Sequence, residues 1–294
     1  NQPASHRRKG KVSTMTTQTA PQTGATAENA REIFKIRRTN YFGAAEIKDT
    51  FGVKTTEPTR MPNLFTNTVL ERANRMGLCL VRQVDKTADG TSLTLKYLYE
   101  SQENKDFLDG KILLPDNDWY RQQREEEDLF AEHTPRPGLF LKGRGVIEGT
   151  LGKTFIEESL IGATFVEQFF GQQLPEEYGR AIENLRQQAE RLEKLCRNDW
   201  QEAARQCRDL QFSSFFRETP VEVIYRILLA QKINKERLFE KVYTRTKSLS
   251  RDASLVDVGD AALAGASLGY WDPDFADGYM GFSFSCSGEL EAES

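Results

Sequence analysis

Read for hydrophobic spacing, the chain divides into stretches with different periods. Apolar positions at helical intervals predict a helix in AENAREIFKIRR (27–38), a second in FGAAEIKDTFGV (42–53) and a third in NLFTNTVLERANRMG (63–77). On the third, Phe65, Val69, Ala73 and Met76 form the inward face. Residues 78–84 and 92–99 alternate like strands around Asp89-Gly90, a pair that supplies the positive φ of a hairpin turn. Three helices and a hairpin make the order of a winged helix, and residues 30–100 are read as a winged-helix-like domain.

Residues 101–152 are broken by prolines and carry the run REEED at 124–128, which reads as an acidic connector with a solvated face. Within it GLFLKGRGV offers a short strand, and a helix begins near Thr154. From 176 to 210 the positions Ile182, Leu185, Ala189, Leu192, Cys196, Trp200, Ala203, Cys207 and Leu210 recur at spacings of three and four, drawing one apolar stripe. Thr219-Pro220 with Glu222 three residues beyond the cap predicts a further helix start. Residues 153–250 are therefore expected to form a helical domain. Beyond 250 no period is sustained, so 251–294 reads as a flexible acidic tail, and 1–29, with few large apolar residues, as a disordered leader. The expected fold is mainly α with a small β-hairpin, of α+β class.

Composition changes this picture in two ways. Residues 1–86 carry 15 Lys/Arg against 7 Asp/Glu, whereas 251–294 carry one Arg against nine acids, so the net charge of −4 conceals a basic front and an acidic end. Two histidines, His6 in the leader and His133 in the loop EHTPRPG, exclude a His-rich metal cage and leave His133 as the one imidazole for nucleophilic chemistry. No cofactor or metal is called for. Four cysteines without close pairing and no bilayer-length apolar run suggest a cytoplasmic, reducing setting; Cys196 and Cys207, on one stripe, are read as core thiols.

The stretch GRGVIEGTLGKTF (143–155) resembles a phosphate loop only at its end. A P-loop needs glycine five residues before the Gly-Lys-Thr glycine; Ile147 stands there, and a β-branched residue does not readily take that conformation. The stretch is expected to be a glycine-rich hinge leading into a helix.

Candidate contacts follow from the winged-helix reading. The outward face of the third helix would offer Asn67, Thr68, Asn74 and Arg75 to base edges, with Glu71 opposing them, while Arg72, Arg82, Lys86, Arg37 and Arg38 neutralise phosphates. In the tail, Tyr270, Trp271, Phe275, Tyr279, Phe282 and Phe284 suit a strip that docks on a partner or wraps onto the chain's own helices. The sequence thus suggests a non-enzymatic nucleic-acid-associated or regulatory protein, with the tail folding back on the basic front to compete with DNA or RNA. A scaffold that oligomerises through residues 182–210, or an NTPase with a degenerate loop, are its alternatives.

Overall fold

The computed structural model describes residues 23–35, 40–101, 128–262 and 265–289. Its framework is two mixed four-stranded sheets. The first has the order β1 (Tyr41–Phe42), β2 (Cys79–Gln83), β3 (Gly138–Lys142) and β8 (Ser285–Ser287); the second has β6 (Gly265–Trp271), β5 (Leu255–Ala262), β4 (Tyr243–Leu249) and β7 (Met280–Gly281). Each carries one parallel pair, β1 on β2 and β7 on β4. The chain passes from β7 to β8 through Phe282, Ser283 and Phe284, so one short segment of the C-terminal region belongs to both sheets.

Eight-residue helices α1 (Ala27–Phe34) and α2 (Ala44–Phe51) precede α3 (Asn67–Arg75), which Thr66 caps by accepting from the Val69 amide. Short helices α4 (Leu95–Glu100) and α5 (Asp128–Ala131) lead to α6 (Phe155–Phe170). There Thr154 accepts from the Glu157 amide at 3.3 Å and the Glu157 carboxylate accepts from the Thr154 amide at 2.9 Å, the reciprocal pair that fixes a helix start. Helices α7 (Glu176–Asn198), α8 (Trp200–Asp209), α9 (Gln211–Phe216) and α10 (Pro220–Asn234) follow.

Two apolar clusters lie on opposite faces of the strands. Leu80, Leu141 and Leu255 join the cluster built with α6, α7 and α9, while Cys79, Val81, Val256 and Val258 join the one that takes in α10. Side chains alternate along a strand, so a strand covered on both faces loses the polar half of its pattern. Helix α10 is buried from Pro220 to Ala230 all round its circumference.

Several expectations are corrected here. The winged-helix hairpin does not form: the turn at Asp89-Gly90 exists, with Gly90 at φ +87° and one isolated bridge between Lys86 and Ser92, but residues 95–100 are helical. Thr94 accepts from the Tyr97 amide and starts that helix, and Leu95 and Leu98 are buried at a spacing of three. The real partner of β2 is β3, antiparallel over five residue pairs. The fold is therefore α+β with two sheets, not helical domains with a hairpin. Residues 251–289 are not a loose tail but supply four of the eight strands, apart from 263 and 264, which lie outside the described residues. The stripe of 182–210 is split at Asp199, whose carboxylate caps α8 through the Glu202 amide. Met76, expected inside, is 40 % exposed.

Candidate functional site

The loop from Gly143 to Lys153 links β3 to α6, and the amides of Gly143, Ile147 and Gly152 are already used. The Gly143 amide donates to the Phe284 carbonyl and that of Ile147 to the Phe282 carbonyl, both at 2.7 Å, and the Gly152 amide donates to the Asp277 carbonyl at 3.0 Å. A phosphate cradle needs such N–H groups free and convergent. Two of these instead bind the segment that joins the two sheets and the third binds the loop before β7, and β3 runs antiparallel to both neighbours. The stretch read as a hinge is thus hydrogen-bonded along its length to residues 277–284.

Beside this loop opens a groove of about 620 Å³. Its apolar wall comes from Met76 and Leu78 after α3, Val146 and Ile147 of the loop, Ile161 and Phe165 of α6, and Phe284. Arg144, Glu148, Thr164 and Gln168 form its polar edge. Arg144 is held in place by Asn40 at 2.6 Å and by an ion pair with Glu236. Gly145 also lines the groove, and a Cβ added there would meet nothing within 4 Å. Volume and lining match sites that enclose a small organic molecule, which are mostly apolar with a few polar groups for orientation.

Between the sheets lies a second constellation, made of buried charges. Glu158 of α6 pairs with Arg217 at 2.9 Å and stands 3.9 Å from Arg245 of β4. Arg217 lies over the rings of Phe155 and Phe282, at 3.8 and 4.7 Å from their centroids. Asp257 of β5 faces Arg245 across the strand pair. Burial pushes its carboxyl up to about 7, against the pull of Arg245. In the other group, Glu218 takes Lys142 at 2.6 Å and also pairs with Arg226, while Glu222 takes Arg136 at 2.8 Å. Burial works to raise the Glu222 carboxyl, but Arg136 and Lys142 outweigh it and hold the group down at about 2. Burial likewise depresses the Lys142 ammonium, with Glu218 opposing.

These ion pairs join α6, the α9–α10 turn, β3 and β4, and they sit in the protein interior rather than in the groove. Their place is structural: the pairs of Glu158, Glu218 and Glu222 match charges that would each cost several kcal/mol, on the order of 3–5, if left unmatched. Sequence spacing gave no sign of them, since Glu158 and Arg217 are separated by three helices. The one legible hint was charge on a helix with no polar face, Glu222 and Arg226 of α10.

The nucleic-acid candidates are dispersed. Asn67, Thr68 and Arg75 are exposed on α3, together with Glu71, and Asn74 is half-buried. Arg72 donates to the Phe169 carbonyl at the end of α6, where it caps that helix. Arg82 is half-buried in β2 and Lys86 exposed on the turn beyond it. Arg37 and Arg38 lie outside the described residues. Of the aromatic strip, Phe282 and Phe284 are fully buried among Phe165, Phe169, Phe212 and Phe216. Tyr270, Trp271 and Phe275 are half-buried, the last two stacked at 4.2 Å, and Tyr279 is 41 % exposed. The stripe meant for oligomerisation, Trp200 apart, is buried within the chain itself. All four cysteines are free and buried, and burial pushes the Cys196 thiol up to about 11. Among the described residues no group of three or more His, Cys, Asp or Glu is placed to hold a metal ion, and no helix is long and apolar enough to cross a membrane. Comparison with protein-family models, curated proteins and solved structures returns no match.

Proposed function

We propose that this chain is a non-enzymatic regulatory protein that takes an uncharged, largely apolar small molecule into the groove beside the 143–153 loop. The observation that carries the reading is the open apolar wall itself. Among the described residues only Met76, Leu151 and Tyr279 are large hydrophobics left well exposed, and Met76 stands on that wall. A flexible thioether on the wall suits ligands of varied shape. Arg144 is neutralised by Glu236, so the polar edge orients a ligand without demanding a charge on it.

Met76 is also the C-cap residue of α3, the helix whose outer face carries Asn67, Thr68 and Arg75. Ligand contact at Met76 bears directly on that helix, and we place the regulated contact, with nucleic acid, on this face. The two parts are tested separately. N-phenyl-1-naphthylamine should bind the full chain saturably with enhanced fluorescence, and Gly145→Trp, which puts a bulky side chain at a groove-lining position where a Cβ meets nothing, should abolish the signal while leaving thermal unfolding unchanged. Absence of saturable binding, or its survival in Gly145→Trp, rejects the ligand site. Binding of duplex, single-stranded DNA or RNA at low salt should fall with rising salt and weaken when Asn67, Thr68 and Arg75 are changed to Ala. No binding at low salt removes nucleic acid from the reading.

A further inference from the structure

The loop of residues 272–279 joins β6 to β7, and three donors hold it. The Phe155 amide at the start of α6 donates to the Pro273 carbonyl at 2.9 Å, and the Gly152 amide to the Asp277 carbonyl at 3.0 Å. Between these two, the Arg245 guanidinium of β4 donates to the Phe275 carbonyl. Two of the donors are backbone groups fixed by their own segments. Arg245 is the side chain of the three, and it also donates to the Lys153 carbonyl at 3.2 Å.

Buried at the cross-strand position opposite Arg245 is Asp257 of β5. Side chains so placed stand within reach of each other. The Asp257 carboxyl occupies space that a side chain at Gly269 of β6 would fill, with the Trp271 indole beside it. Every element packed around it contributes to its surroundings. From β6 the Gly269 amide favours the ionised form, as does Arg245 from β4. From α6 comes Glu158, 3.9 Å from Arg245 and paired with Arg217 at 2.9 Å, and from the end of the loop the Tyr279 hydroxyl, which feels the Asp257 charge. Burial outweighs Arg245 and the Gly269 amide and raises the Asp257 carboxyl to about 7, with Glu158 adding to the rise. Burial raises the Glu158 carboxyl too, against Arg245 and Arg217.

A guanidinium binds a carboxylate roughly twice as strongly as it binds a neutral carbonyl. Protonated Asp257 therefore leaves Arg245 to the Phe275 and Lys153 carbonyls, whereas ionised Asp257 competes for the same guanidinium from the neighbouring strand. We infer that Asp257 and Arg245 form a proton-operated latch: protonated Asp257 keeps Arg245 on the Phe275 carbonyl and the 272–279 loop docked, and ionised Asp257 draws Arg245 off and loosens the loop. The Phe155 and Gly152 anchors persist, so the change is centred on Phe275 and on the Trp271 ring stacked against it at 4.2 Å. The latch rests on this interior cluster alone and needs no ligand in the groove.

Carbon-13 NMR of the full chain from pH 5 to pH 9 tests it. The Asp257 carboxyl should titrate within that range, and the backbone carbonyls of Phe275 and Lys153 should shift with the same midpoint as they lose a charged donor. Asp257→Asn keeps the shape of the side chain and cannot ionise, so in that variant both carbonyls should hold one shift throughout. Its unfolding temperature shows whether it folds. The Glu158 carboxyl, followed in the parent, separates the two acids without any substitution, because only the group that works the latch shares its midpoint with Phe275. The inference is overturned if Asp257 does not titrate in this range, or if it titrates while the Phe275 carbonyl stays still. It also falls if Phe275 follows Glu158 instead, or shifts as much in Asp257→Asn as in the parent.

Discussion

Glu222 is fully buried on α10 and still ionised, because Arg136 and Lys142 stabilise its charge more than burial destabilises it. Asp257 is the opposite case, a buried acid whose single nearby cation, Arg245, is engaged with the Lys153 and Phe275 carbonyls. Their effects on stability have opposite signs. The Glu222 carboxyl is held at about 2, below its ordinary 4.5, so its contribution is complete above pH 4.5 and is lost as pH falls through 2. The Asp257 carboxyl, raised from 3.8 to about 7, favours the folded state fully below pH 3.8 and loses that advantage as pH rises through 7. From these two groups alone, stability should be greatest near pH 4 to 5. Asp257→Asn should accordingly stabilise the protein at pH 8, by up to about 4 kcal/mol on the scale of roughly 1.4 kcal/mol per pKa unit, and by little at pH 4. Chemical denaturation of both proteins at the two pH values checks it; an equal difference at both would show that ionisation is not the cause. A glycine gives a second test at this scale. In a helix Ala is ordinarily about 1 kcal/mol better than Gly, yet a Cβ at Gly162 of α6 would overlap the ring of Phe282. Gly162→Ala should therefore lower the unfolding midpoint, by roughly 1–3 kcal/mol of overpacking.

At the level of elements, what could be read from the sequence was what is locally encoded. Thr154 with Glu157 and Thr219-Pro220 with Glu222 mark the starts of α6 and α10, because a helix leaves orphan amides that these side chains satisfy within four residues. The buried face of α3, Phe65, Val69 and Ala73, follows from its period. Strand pairing is different, since β2 reaches a partner more than fifty residues away and nothing in 78–84 names it. The alternation of Leu93 and Leu95 imitated a second hairpin arm, although Thr94 with Leu95 and Leu98 carried the helical alternative. In β5, Val256 and Val258 face one cluster and Leu255 the other, so the alternation that marks a half-exposed strand never appears. The groove was invisible for the same reason: it is assembled from α3, the 143–153 loop, α6 and Phe284, which only tertiary structure brings together. The loop's role yields its own prediction. Gly281 packs against Thr150, whose hydroxyl accepts from the Phe282 amide at 3.1 Å. Thr150→Val keeps the shape and removes that acceptor, so it should cost about 1–3 kcal/mol by leaving a buried amide unsatisfied. Amide hydrogen exchange should speed up at Phe282 before it does in α7.

Across the whole molecule, the C-terminal region decides whether the acidic end is an appendage or part of the framework. Its charge and composition suggested an appendage, whose removal would expose a basic front and raise affinity for nucleic acid. The structure instead gives it β5 and β6, the edge strands β7 and β8, and the Phe282-Ser283-Phe284 link between the sheets. Val256, Val258, Phe282 and Phe284 are fully buried, and each such side chain contributes about 1.5–3 kcal/mol when removed from water. Four of them together are comparable with the whole net stability of a typical domain, roughly 5–15 kcal/mol. Loss of the segment also removes Asp257 from beside Arg245, the Phe282 ring from Arg217 and the Ser283 hydroxyl from Arg226, leaving buried cations with fewer partners. A chain ending at residue 250 should therefore show no cooperative unfolding transition and should expose its apolar surface. Calorimetry and circular dichroism of that truncation would decide, and a cooperative transition at the native temperature would mean that the segment is dispensable to the fold. A narrower change separates framework from charge: replacing Asp272, Asp274 and Asp277 by Asn, on the loop between β6 and β7, removes three acids but no strand. That variant should unfold as the parent does, and any gain in nucleic-acid affinity it shows at low salt would then be an effect of charge alone.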